Sequence, residues 1–275
     1  MSHMRVPIAP LAALVLTTLA CTTLTSLFQQ EAGVAPGEAP VEAGTPLAAE
    51  AAPTEVQRLA PIPTPTPFHV EGEEDVRSVL DLSKPDHVDY FDNPQAWFDY
   101  DTPGRAAYRV EDGHLYGKDY EPEPTFSWWS NTDRQSGNTY AEVSATNGDC
   151  VDKDAVALVI RVDTEKGAGG YALEVACDGH FRFVNHVQGK GAYDLIDWTF
   201  SDVIAQGKGA TNRLAIWGYQ GRFEVFVNGV KVGEFLDKDY NQTYGTFALY
   251  VKGERTFDLE ATFDDFAFWH IPFLP

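Results

Sequence analysis

An antiparallel two-sheet β-sandwich is the fold class that this sequence predicts for residues 69–275, on three observations. Past residue 86, apolar side chains alternate with polar or small ones over short runs, the period of a strand that buries one face. Turn signals, among them Asp112-Gly113, Asp178-Gly179 and Asn228-Gly229, recur at roughly 8–12-residue spacing. No long stretch repeats with the period of a helix, and only residues 201–206 read as a short helical turn.

The strands follow in chain order. Residues 156–162 place Val156, Leu158, Ile160 and Val162 on one side. A Gly-rich turn over residues 165–170 leads into residues 171–177, where the alternation resumes. Asp178-Gly179 then turns the chain into Phe181-Arg182-Phe183-Val184. Leu214 and Ile216 alternate with Ala215 and Trp217, and a turn near residues 219–221 leads to residues 223–227. Residues 247–251 and 263–268 supply the last strands. This parity puts Val156, Leu158, Ile160, Leu173, Val175, Leu214, Ile216, Val225 and Val227 in the core.

Composition divides the chain at residue 68. Arg5 and the apolar run from Val6 to Ala20 have the form of a signal peptide, too short to span a bilayer. Leu16-Thr17-Thr18-Leu19-Ala20-Cys21 resembles the bacterial lipobox, with Cys21 as the lipidated residue. It departs from the pattern at Thr18, where Leu is usual; the alternative is an ordinary secretory signal cut near Ala20. Met1-Ser2-His3 reads as an addition before a natural start at Met4. Residues 22–68 are rich in Ala, Pro, Glu and Thr and end in alternating prolines. Such a stretch is expected to be a disordered, extended spacer that holds a domain off the membrane. Residues 1–21, 22–68 and 69–275 are therefore the expected signal, tether and sandwich.

The formal net charge is −21. Five acids and two bases precede residue 69, which leaves 36 acids against 18 bases, a net of −18, for the sandwich. Such a surface repels phosphate backbones and anionic headgroups, so no nucleic acid is expected, and the membrane is met only through the lipid anchor. With Cys21 assigned to the leader, Cys150 and Cys177 remain as one pair. In an exported chain they are expected to form a disulfide; the alternative is two buried thiols.

Read together, Asp112-Gly113, the strand ending in Arg161, Tyr171 with Cys177-Asp178-Gly179, Leu195-x-x-Trp198, Asn212-x-Leu214, Phe226-Val227-Asn228-Gly229 and Phe263-Asp264-Asp265-Phe266 resemble the concanavalin A-like lectin/glucanase superfamily. The likeness runs from about residue 90 to 272 and is strongest to laminin-G-like and 3-keto-disaccharide hydrolase-like jelly rolls. It implies two curved sheets, one with a concave face suited to glycans. Fold does not fix function, so the residues are read on their own.

No catalytic residue is assigned. The Glu-x-Asp-x-x-Glu strand of laminarinase-type members is absent, as are Gly-x-Ser-x-Gly, His-Glu-x-x-His and Gly-rich phosphate loops. Glu260 and Asp264 are four apart but fall in what reads as the ordinary last strand. Opposite the core positions, parity gathers Arg161, Glu174, Arg182, Trp217, Glu224 and Phe226, with Ala157, Ala172, Ala176 and Ala215 among them. That set has the makings of a ligand face: small residues leave room, Trp217 stacks on a sugar ring, and Arg161 with Glu174 engages hydroxyls. The alternative is a salt-bridged outer face with Trp217 under a loop. Alternating oxygens at Asp237, Asp239 and Asn241, and a second cluster at Asp149, Asp152 and Asp154, are candidate sites for a structural Ca2+; solvated acidic loops are the alternative. The expected function is a lipid-anchored, extracytoplasmic module that binds carbohydrate or another extracellular ligand. A glycoside or keto-disaccharide hydrolase and an accessory subunit of a surface complex stand behind it.

Overall fold

The computed structural model describes residues 75–122, 127–163, 165, 169–239 and 242–274. The expected signal peptide, Cys21, the tether and Asn241 lie outside the described residues. The strands, in order, are β1 (His87–Asp89), β2 (Tyr100–Thr102), β3 (Ala106–Glu111), β4 (His114–Asp119), β5 (Trp129–Ser136), β6 (Thr139–Asn147), β7 (Ala155–Val162) and β8 (Gly169–Ala176). They continue as β9 (His180–Val187), β10 (Gly191–Phe200), β11 (Thr211–Tyr219), β12 (Arg222–Val227), β13 (Val230–Leu236), β14 (Gly245–Lys252) and β15 (Leu259–His270).

Two antiparallel sheets result. One has nine strands in the order β13-β12-β11-β6-β15-β4-β3-β2, with β1 paired to the end of β15. The other has six, in the order β10-β9-β8-β7-β14-β5. The expected jelly-roll sandwich is therefore present. Its hairpins turn where the sequence places them: Asp112 and Gly113 (φ 52° and 75°) join β3 to β4, and Asn228 and Gly229 (φ 52° and 80°) join β12 to β13. Two consecutive left-handed residues match the twist of the flanking strands, which is why Asp-Gly and Asn-Gly recur here. Residues 201–206 form turns and no helix; Ile204 N–H donates to Ser201 O at 3.2 Å. A short 3-10 helix forms instead at Val76–Val79, which carries no sequence period to announce it.

All nine residues assigned to the core are buried between the sheets. Cys150 and Cys177 form the expected disulfide, which ties the loop before β7 to the β8–β9 turn. A second apolar layer lies on the outward side of the nine-stranded sheet. There Tyr140, Ala215, Trp217, Phe226, Ala267, Trp269 and Ile271 are covered by Val76, Leu80, Leu82 and Val88. The segment before β2 thus acts as a strap. Arg77 fastens it: its guanidinium lies 4.1 Å over the Phe226 ring and donates to Gly229 O at 3.0 Å and to Asp75 at 2.7 Å. Trp269 Nε1 donates to Asp81 O at 3.1 Å.

The strap corrects one expectation. Trp217 and Phe226, read as ligand-facing, are each 2% exposed beneath it. A bulge corrects another. Thr246 and Ala248 of β14 pair with Val162 and Val159 of β7, so β7 carries one extra residue there, and Arg161 has φ 57°. The bulge resets the alternation and turns Arg161 inward, 5.1 Å from the Phe223 ring centroid, where it is fully buried.

Candidate ligand-binding face

On the outward side of the six-stranded sheet, cross-strand register lines up Trp129, Tyr250, Ala157, Glu174 and Arg182 over five adjacent strands. Tyr250, Ala157, Glu174 and Arg182 alternate with Leu249, Val156, Leu173 and Phe183, which face the other sheet, so the row lies on the outward side, although Tyr250, Ala157 and Glu174 are themselves fully buried there. Ala157 is the gap that connects it. The Tyr250 hydroxyl crosses above Ala157 and donates to Glu174 Oε1 at 2.5 Å. Arg182 Nε donates to Glu174 Oε2 at 2.6 Å, and its Nη1 to Asp194 on the edge strand β10 at 3.3 Å. His186 Nε2 lies 3.2 Å from the Tyr250 oxygen. The only Tyr250 proton goes to Glu174, so His186 donates here, which assigns its proton to Nε2 and leaves Nδ1 as an acceptor.

Aromatic rings close the two ends of the row. Trp129 stands edge-on to His186 at 5.5 Å and lies 6.4 Å from Tyr250. The Arg182 guanidinium sits 4.6 Å over the Trp198 ring, with Lys153 Nζ 5.5 Å from the same ring. Ala157, Ala172 and Ala176 are fully buried. The room they leave is taken by the longer side chains of the row, so a ligand meets the rim and not the alanines.

Charge on this face is fixed at neutral pH. Burial acts to raise the Glu174 carboxyl, but the Lys252 and Arg182 charges, with the Arg182 and Tyr250 hydrogen bonds, overcome it and hold the group at about 2. Burial lowers His186 to about 4, against the opposing pull of Glu174. Burial also drives the Tyr250 hydroxyl well above its ordinary range, helped by Glu174. Glu174 is therefore an anion, His186 and Tyr250 are neutral, and no member of the chain is poised near pH 7 for proton transfer.

These shifts predict the acid limb of stability. Both Glu174 and His186 have folded values below their ordinary ones of 4.5 and 6.5, so the unfolded chain binds more protons and stability falls as pH falls. The His186 contribution is lost between about pH 6.5 and 4, and the Glu174 contribution between about 4.5 and 2. His186→Gln is expected to flatten the melting temperature between pH 6.5 and 5 relative to the parent. A parent profile already flat in that window removes His186 from the account.

Of the six residues assigned to one ligand face, Glu174 and Arg182 meet here, while Trp217, Glu224 and Phe226 lie together on the other sheet. Parity distinguishes inward from outward but not which of two sheets a strand joins, so the reading pooled two surfaces on opposite sides of the sandwich. Trp217, Phe226 and Glu224 belong to the nine-stranded sheet; Glu224 is 3% exposed and pairs with Arg222 at 2.5 Å. Arg161 serves structure, donating to Gly137 O at 2.9 Å and Gln220 O at 2.7 Å. Tyr250, His186, Trp129 and Trp198 were missed. Tyr250 and His186 do carry a signal: Tyr250 alternates with Leu249 and Val251, and His186 keeps the strand parity of Arg182.

The acidic clusters are engaged by the protein itself. Asp237 accepts from Tyr171 Oη at 2.8 Å and from Asp239 N–H at 3.0 Å. Asp154 accepts N–H groups from Val151, Glu254 and Arg255, while Asp149 pairs with Lys208 and Asp152 with Arg255. Among the described residues, no group of three His, Cys, Asp or Glu is arranged to hold a metal ion. Glu260 bonds Lys118 at 3.1 Å, and Asp264 lies 3.8 Å from His114.

No protein-family description matches the chain, and no curated protein does. Solved structures do resemble it. The carbohydrate binding module CBM66 from Bacillus subtilis is 16% identical with a TM-score of 0.49, over 64% of this chain and 97% of that one. A Bacillus licheniformis beta-glucanase is 12% identical, TM-score 0.49, over 66% and 97%. A Bacillus subtilis protein of unknown function with a galectin-like fold is 10% identical, TM-score 0.49, over 68% and 96%. The functional reading therefore rests on this chain's own residues.

Proposed function

We propose that this chain is an exported, lipid-tethered domain that binds carbohydrate at the outward face of its six-stranded sheet. The observation that carries this reading is the hydrogen-bonded chain His186–Tyr250–Glu174–Arg182 on the outward side of the six-stranded sheet. Burying an ion pair contributes little or nothing to stability compared with apolar side chains of the same shape. Here it fixes the orientation of polar groups at a rim flanked by two partly exposed tryptophans, Trp129 and Trp198. Flat aromatic surface beside oriented donors and acceptors is what a sugar ring with its hydroxyls requires. The short apolar leader, Cys21 and the Pro-rich stretch support the export and anchoring part of the proposal. Hydrolysis has less behind it, because Glu174 is held at about 2 and His186 at about 4, both unsuited to general acid work at neutral pH.

A glycan array probed with residues 69–275 tests the reading. Trp129→Ala is expected to weaken the strongest array ligand at least tenfold, about 1.4 kcal/mol, with the melting temperature reported alongside. Binding that survives Trp129→Ala at full strength places the ligand elsewhere. A folded domain silent on every glycan overturns the proposal.

A further inference from the structure

We infer that Asp194 closes the site to acidic sugars, so that the face selects uncharged saccharides. The inference deepens the carbohydrate reading and rests on it. Arg182 is the cation at the rim of the face, and an acidic sugar is held most strongly by a guanidinium presenting two parallel N–H groups to its carboxylate. Glu174 already takes Nε of Arg182 at 2.6 Å. Asp194 takes Nη1 at 3.3 Å from the solvent side, with 46% of its own side chain exposed. An incoming carboxylate therefore meets the Asp194 charge before it meets the guanidinium.

The neighbouring charges leave no surplus to offset this. Lys153 is held by Asp178 at 2.5 Å, and Lys252 is 4% exposed, close enough to Glu174 to lower its carboxyl. Glu174, Asp194 and Asp178 thus balance Arg182, Lys252 and Lys153. With His186 neutral and the sandwich at −18, a uronate or sialate approaches a locally neutral site inside a negative long-range field. Hydroxyl groups carry no such penalty. Specificity of this kind comes from a repulsive element set against the wrong ligand, not from an added attraction toward the right one.

The test compares the parent with Asp194→Ala on an array holding both neutral and uronate- or sialate-bearing glycans. Asp194 lies on an exposed edge strand, and circular dichroism confirms that the variant folds. The expected result is parent signal confined to neutral glycans, and a rise of at least tenfold in the acidic-to-neutral signal ratio in Asp194→Ala. That gain should disappear at high salt, where an exposed ionic contact is screened. Parent binding to acidic glycans as strong as to neutral ones, or an unchanged ratio in the variant, overturns the inference. A second arm titrates free glucuronate while following tryptophan fluorescence, which Trp198 beneath Arg182 reports. If the array is silent for both proteins, the carbohydrate reading has failed. Quenching in Asp194→Ala but not in the parent then still supports the role of Asp194, and quenching in neither, or equally in both, rejects it.

Discussion

Trp217→Ala is expected to lower domain stability by about 3–5 kcal/mol, the usual cost of emptying a large buried aromatic site. The indole is 2% exposed and packs with Tyr219 at 5.9 Å between ring centroids, under a strap that brings Val76, Leu80, Leu82 and Val88 onto the sheet. The apolar side chains of the strap can fill the space only by moving with it, and the strap is fastened by Arg77 over Phe226. Trp217→Phe is expected to cost much less. Trp217 Nε1 is buried with no partner among the described residues, so the smaller ring also removes an unmet donor, which offsets part of the lost area. Removing residues 1–86 should resemble Trp217→Ala and add exposed aromatic surface from Tyr140, Phe226 and Trp269. Urea unfolding measures the stability changes, and binding of a hydrophobic dye measures the exposed patch. A Trp217→Ala domain as stable as its parent dissolves the account of the strap. It follows that Trp217 is the wrong place to probe for sugar binding, although its spacing in the sequence invites that use.

The contrast between Trp217 and Glu174 explains what the sequence could and could not convey. Alternation within a strand is local, so the nine core residues, the hairpin turns and the sandwich itself were legible. Whether two outward residues share a surface depends on strand order, and β8 and β11 lie in different sheets. No local pattern records that. The bulge at Arg161 was equally silent, because an extra residue in β7 shows only against its partner β14. The strap was hidden for a third reason. Its apolar residues fall at irregular intervals around a 3-10 turn, and its docking partners are scattered over β6, β11, β12 and β15, far away in sequence. Tyr250 and His186 were within reach of the same parity argument that found Glu174 and Arg182, had it been extended to β14 and to the end of β9.

Glu174→Ala is the second large effect expected, a loss of about 3–5 kcal/mol. The carboxylate is fully buried and accepts from Tyr250 and Arg182, so its removal leaves a guanidinium 12% exposed and a buried hydroxyl facing an apolar alanine. The cost comes from what is left unpaired, not from the net worth of the pair. This makes a sharper prediction than the single variant. Replacing both ionic partners at once, as Glu174→Leu with Arg182→Met, should recover a large part of the loss in urea, the remainder being the Tyr250 hydroxyl and the buried Lys252 charge that Glu174 no longer serves. It should also abolish sugar binding, because the oriented groups at the rim are gone. Such a domain, stable but unable to bind, would separate the two roles that a buried ion pair can have. If the double replacement instead destabilises as much as Glu174→Ala, then the pair is needed for folding. The main argument for reading this face as a recognition surface then fails with it.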